Sequence, residues 1–153
     1  MAIRKIYQVG DDTLRQVSKP VTEFDDKLAA LIDDMRDTVV YADGAGLAAP
    51  QVGVLKRIFV ATFDGGKTII EAVNPVIVQA KGKRVAPEGC LSIPNAREKV
   101  ERPRRVVVHA FDRHGNPIEL IGNGFDASCF CHEIDHLDGI LFTDKAISGR
   151  KKQ

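Results

Sequence analysis

His132-Glu133-Ile134-Asp135-His136 is the stretch of this chain best equipped for chemistry, because it reads His-Glu-x-x-His. On a helix, residues four apart share a face, so both imidazoles can reach one metal ion. Glu133 then stands beside that ion, placed to move a proton to or from a water that the ion activates. The plain alternative is a helix whose two histidines face solvent. A catalytic metal site needs a third protein ligand and an open position. The 17 residues after His136 contain no His, Cys or Glu. Phe142 occupies the position where a metzincin carries its third His, and the downstream Glu of a thermolysin-like site is missing. Asp138 and Asp144 remain, but Asp138 faces another side of the helix. The third ligand is therefore expected upstream, among Cys90, His109, His114 and several carboxylates. Cys90 is the strongest of these, set in Glu88-Gly89-Cys90-Leu91-Ser92, since a thiolate and two imidazoles leave room for water.

A second stretch, Asp43-Gly44-Ala45-Gly46-Leu47-Ala48-Ala49-Pro50-Gln51-Val52-Gly53, reads as a loop of small residues that lets backbone approach a ligand closely. It lacks the Lys-Ser/Thr ending of a phosphate loop. Gln51 is its one polar side chain in an apolar run. An amide there can donate to a developing oxyanion, or it can cap backbone in a tight turn, which is the reading its own residues favour.

Several elements must position these groups. The metal-motif helix is expected to start at Gly122, Asn123 and Gly124, with Asn123 as cap, and to stop at Gly139. A short helix is expected over residues 11–19, limited by Pro20, and a longer one over 25–42. In the longer helix Leu28, Leu31, Ile32, Met35 and Val39 form one apolar stripe, and Asp33, Asp34, Arg36 and Asp37 fill a solvated face. Strands are expected over 57–64 and 67–72 around a Gly65-Gly66 hairpin, with a break at Asn74-Pro75 before 76–79. A further strand approaches Glu88 from Arg84. One or two more lie in 100–112, interrupted near Pro103, and the last covers 117–121 after a turn at 113–116. His114 falls in that turn and His109 on a sheet face. The fold class expected is α+β: mainly antiparallel sheets packed around a central metal-binding helix, plus one N-terminal packing helix.

Length and composition fit one catalytic domain spanning 1–153. Apolar content is 44%, charge 28% and net charge +1, with no block of like charges, which argues against a bulk role on DNA or a membrane surface. There is no apolar signal core and no run of membrane-spanning length. Three cysteines in such a chain point to reduced thiols in the cytoplasm. Cys129 and Cys131, two apart on a helix, face different ways and are expected to pack in the core.

Three stretches in order, Gly44-Ala45-Gly46-Leu47-Ala48-Ala49-Pro50-Gln51, Glu88-Gly89-Cys90-Leu91-Ser92 and His132-Glu133-Ile134-Asp135-His136, resemble the signature motifs of bacterial peptide deformylases. The resemblance covers nearly the whole chain. It implies a metal-dependent hydrolase that removes the formyl group from the initiator methionine of nascent polypeptides, by attack of a metal-bound hydroxide on the formyl carbon. It implies Cys90, His132 and His136 as metal ligands, and Glu133 as general base and then acid. It implies Gln51 and the Leu91 N–H as oxyanion donors. Substrate would lie extended beside Gly46, its methionine side chain in a pocket walled by Ala45, Leu91, Cys129 and His132. The implied ion is Fe2+, with Zn2+, Ni2+ or Co2+ able to take its place. The donor set by itself suits zinc equally. The implied partners are N-formylmethionyl nascent chains, and a monomer working near the ribosomal peptide exit is expected. The basic end, residues 149–153, reads as a frayed tail or a weak ribosomal RNA contact. Arg102 and Asp135 would brace the metal helix. The chain departs from the common pattern at Ala45, Asn95 and Cys131, which bears on fine specificity and not on the reaction. Two rival readings are a zincin-type endopeptidase and a non-catalytic binding protein; the missing downstream ligand opposes the first, and an intact Glu133 opposes the second.

Overall fold

The architecture comes from a computed structural model that describes residues 2–147. The expected basic tail at 149–153 lies outside those residues. Helix α1 runs Asp26–Tyr41 and buries the stripe Leu28, Leu31, Ile32, Met35 and Val39. Asp25 starts it by accepting from the Leu28 N–H at 3.0 Å. Past Ala42 the chain turns left-handed at Asp43, φ 57°, and delivers the small-residue segment to the site. The helix expected over 11–19 is only a short 3-10 turn, Asp12–Arg15, with Asp11 as its cap. Leu14 is its one buried residue, and without an apolar stripe there is little to extend it.

Five strands form one antiparallel sheet in the order β1 (Gly46–Ala48), β2 (Ile58–Ala61), β3 (Ile70–Lys81), β6 (Arg105–Phe111) and β7 (Pro117–Asn123). Strands β4 (Arg84–Cys90) and β5 (Ile93–Arg102) pair in a separate antiparallel hairpin. Helix α2, Phe125–Leu137, packs between them, with ten of its thirteen residues buried, so it is the centre of the α+β arrangement. Val106, Val108 and Phe59 close on its sheet side, and Ile93, Val100 and Phe142 form a smaller core near Cys90.

Four local expectations change. The small-residue segment is not a loop: it contains β1 and the 3-10 turn Ala49–Val52. The Asn74-Pro75 break is a bulge within one continuous strand. Asn74 takes φ 51°, and its amide exchanges two hydrogen bonds with the Val21 backbone, 2.8 and 2.9 Å, which absorbs the register shift. Strand β5 begins at Ile93, well before residue 100, because it pairs with β4 rather than with the large sheet. Asn123 belongs to β7 and does not cap α2; Gly124 does, at φ 61° and ψ −121°, a backbone conformation that suits glycine.

Candidate active site

The residues of α2 at 125, 128, 129, 132 and 133 share one face and line a cavity of about 560 Å³. Opposite them, alternation along β4 turns Arg84, Ala86, Glu88 and Cys90 toward the helix. Strand and helix thereby bring the Sγ of Cys90 to 3.4 Å from Nε2 of His136. The ligand atoms of Cys90, His132 and His136 all lie within 4.8 Å of one another. Soft sulfur with two imidazole nitrogens is a donor set that fits one divalent transition-metal ion and leaves a coordination position open. Asp138 and Asp144 are engaged elsewhere, by Arg57 at 3.0 Å and by Arg15. His109 is exposed and pairs with Glu119, and His114 sits in the 113–116 turn, both away from the cavity.

Glu88 supports this set. Its Oε1 lies 3.0 Å from Nδ1 of His132, which leaves Nε2 to face Cys90 and a cation. Arg102, 3% exposed, holds Glu88 through Nε and Nη2 at 2.9 and 3.0 Å and reaches Asp135 through Nη1 at 2.6 Å. Burial works to raise the Glu88 carboxyl, but its bonds to His132 and Arg102 outweigh burial and hold it down at about 2. Burial pulls His132 down, yet Cys90 and Glu88 push it up to about 10. Burial holds His136 well below the usual imidazole value, in the neutral form a metal ligand needs.

Glu133 is 3% exposed, and among the described residues its Oε1 has no hydrogen-bond partner. Burial pushes its carboxyl up to about 7, against the pull of His132, and a group poised there can both take and return a proton. It is reached through β1: a Cβ on Gly46 would stand 2.5 Å from Glu133 Oε2 and 3.0 Å from Cys129 Sγ. Gln51 caps the turn, the role its own residues favoured, and its amide nitrogen faces the cavity residues. Its Oε1 accepts from the Ala48 N–H at 2.9 Å and caps the turn, while its Nε2 donates to Ser92 Oγ at 3.0 Å and lies 3.6 Å from Cys90 Sγ. Leu91 follows Cys90 in the turn between β4 and β5, held from outside where Gln8 donates to its carbonyl at 3.3 Å. Ala45, Gly46, Leu91 and Cys129 all line the cavity. Cys129 and Cys131 are buried and unbridged, and burial raises both thiols, Cys131 to about 11. Asn95 takes φ 64°, a left-handed conformation that Asn tolerates.

Sequence reasoning missed Glu88 and Ser92 as members of the site. The signal for Glu88 was the two-residue period of a strand: two positions before Cys90, it shares that residue's face. Ser92 carried no such signal, since its contact with Gln51 spans 41 residues.

Residues 3–152 match the sequence profile of the polypeptide deformylases. A peptide deformylase of Caldicellulosiruptor bescii is 56% identical over 147 residues, covering 96% of this chain and 87% of the relative. A crystal structure of a peptide deformylase from Legionella pneumophila superposes with a TM-score of 0.94 at 47% identity, covering 99% of this chain and 90% of that one. The peptide deformylase structure from Thermotoga maritima gives 0.90 at 39% identity, with 95% and 99% covered.

Proposed function

We propose that this chain, which belongs to the polypeptide deformylase family, hydrolyses its substrate with Cys90, His132 and His136 holding the metal, Glu133 moving the proton, and Gln51 with the Leu91 N–H receiving the oxyanion. The reaction is the family's own: removal of the formyl group from N-formylmethionine at the head of nascent peptides. Water adds across the formamide C–N bond, and formate and a free methionine amine result. The observation that carries the residue assignment is one cavity in which Gln51, Cys90, His132 and Glu133 converge, with the donor atoms of Cys90, His132 and His136 within 4.8 Å of one another.

Held by Cys90, His132 and His136, a divalent ion would supply Lewis acidity and lower the pKa of a water beside it. Glu133 accepts the proton from the attacking water and returns it to the departing amine; its burial keeps the carboxyl in the range where both transfers are cheap. Charge gathering on the formyl oxygen meets the Gln51 amide and the Leu91 N–H. Gln51 cannot swing away, because Ala48 and Ser92 hold both ends of its amide. Substrate backbone lies along Gly46 of β1, which is an edge strand, and the methionine side chain enters beside Ala45 and Cys129.

On this reading Fe2+ is the resident ion, and Zn2+, Ni2+ or Co2+ fit the same donors. Residues 1–153 act as one catalytic domain and as a monomer in the cytoplasm, on formylated nascent chains near the ribosome, not on DNA or membranes. The net charge of +1 and three unbridged cysteines support that setting, and among the described residues no helix is long and apolar enough to cross a membrane. The test is formate release from formyl-Met-Ala-Ser by anaerobically prepared protein of known metal content. Release abolished by a chelator and restored by added iron or nickel is expected. Metal-loaded protein that releases no formate contradicts the proposal.

A further inference from the structure

The face of α2 that lines the cavity continues past the metal site. Ser128 and Cys129 lie one helical turn, about 6 Å along the axis, N-terminal to His132 and Glu133. Ser128, His132 and His136 stand at i, i+4 and i+8, each facing a residue of β4. Cys90 meets His136, Glu88 meets His132, and the Arg84 Nη1 donates to Ser128 Oγ at 3.0 Å. The first two contacts belong to the metal site. The third, between Arg84 and Ser128, belongs to none of the machinery described above, yet both residues line the same cavity. Ser128 is 5% exposed, and among the described residues the Arg84 guanidinium forms no ion pair. One of its five N–H groups is bound to Ser128, which aims the rest.

A pocket for methionine needs no hydrogen-bond donor. Ala45, Phe125 and Cys129, which line the same cavity, offer apolar surface and a buried thiol. A guanidinium latched there adds a charged donor to the cavity, held by a serine one helical turn from His132. The occupant it suits is a side chain of methionine's length that carries an acceptor near its end. Methionine sulfoxide is that group: oxidation adds one strong acceptor oxygen and leaves the chain length unchanged. An apolar pocket would strip water from that oxygen and leave it unpaired, whereas Arg84 supplies a charged donor.

Resting on the deformylase reading, we propose that Arg84, held by Ser128, is a specificity-determining residue of this pocket and that the enzyme also deformylates peptides beginning with formyl-methionine sulfoxide. The hydrolysis is unchanged: water adds across the formamide bond, and the sulfoxide is neither oxidised nor reduced. Loss of a side-chain bolt that only joins β4 to α2 would lower turnover of every first residue alike.

The test compares kcat/KM for formyl-Met-Ala-Ser, formyl-norleucine-Ala-Ser and formyl-Met-sulfoxide-Ala-Ser on the full, metal-loaded chain and its Arg84→Met and Ser128→Ala variants. The ratio of sulfoxide to norleucine turnover cancels losses common to all substrates. Wild type should turn over the sulfoxide, and Arg84→Met should lower that ratio by about 10- to 100-fold, the worth of one charge-assisted hydrogen bond. Ser128→Ala should lower it less. An unchanged ratio in Arg84→Met, or wild type that accepts formyl-Met and rejects the sulfoxide, overturns the inference. Should Arg84→Met not fold, the wild-type sulfoxide rate and Ser128→Ala still decide it. Failure on all three substrates defeats the deformylase reading itself, which separates the two.

Discussion

Glu88 holds His132 by its Nδ1 at 3.0 Å, and the same carboxylate is clasped by the buried guanidinium of Arg102. A single acid thus joins β5, β4 and α2 beside the cluster of Cys90, His132 and His136 proposed to hold the metal. It fixes which imidazole nitrogen faces the cavity and how the ring is turned.

Replacing that acid should loosen the metal without removing a ligand. Glu88→Ala is expected to lower metal affinity by about 10- to 100-fold, the usual scale for a partner of a ligating histidine. Competition against a chelator of known affinity measures this. Affinity equal to wild type would show that His132 does not depend on Glu88 for its orientation.

Gly46 separates catalysis from folding. A Cβ there meets Glu133 Oε2 at 2.5 Å, so Gly46→Ala must displace the carboxylate. Displacement by about 1 Å from a productive position can cost on the order of 100-fold in rate. The expected result is a kcat reduced to about that extent in protein that retains its metal and its wild-type circular dichroism. A kcat within twofold of wild type would place the acting carboxylate elsewhere.

Glu71 sets part of the acid stability. Burial by itself would raise its carboxyl, but hydrogen bonds and charge from Arg113, joined by the charge of Arg36, outweigh burial and hold it below the ordinary 4.5. A depressed native pKa means that the unfolded chain takes up the proton first. The stabilisation is therefore full above about pH 4.5 and disappears as pH falls through the native value. Urea unfolding of wild type and Glu71→Gln between pH 7 and pH 3 should show a gap that is widest at pH 7 and narrows below 4.5. A gap independent of pH would remove Glu71 from this role.

Much of this geometry was readable in the chain before any coordinates. The apolar stripe of α1 is local information, and its ends fall within one residue of expectation because Asp25 caps the start. His132, Glu133 and His136 share a helix, so spacing alone placed them together. Cys90 stood first among the upstream candidates by its donor chemistry, but the hairpin that carries it to His136, 46 residues on, leaves no local signal. The bulge at Asn74 was hidden because its partner, the Val21 backbone, lies 53 residues away, and Pro75 read locally as a stop. The Arg102–Asp135 brace was expected from the family resemblance and is present, whereas the clasp of Arg102 on Glu88 had no signal in neighbouring residues. Local period and capping chemistry are written in neighbouring residues, whereas pairing across elements is not.

The central claim is that Glu133 moves the proton beside a metal held by Cys90, His132 and His136. The most direct measurement is formate release from formyl-Met-Ala-Ser by Glu133→Ala protein, with metal content determined on the same sample. About one metal ion per chain is expected, with a turnover lower by on the order of 100- to 10,000-fold, the usual contribution of a positioned acid–base group. Wild-type turnover from the metal-loaded variant would contradict that claim.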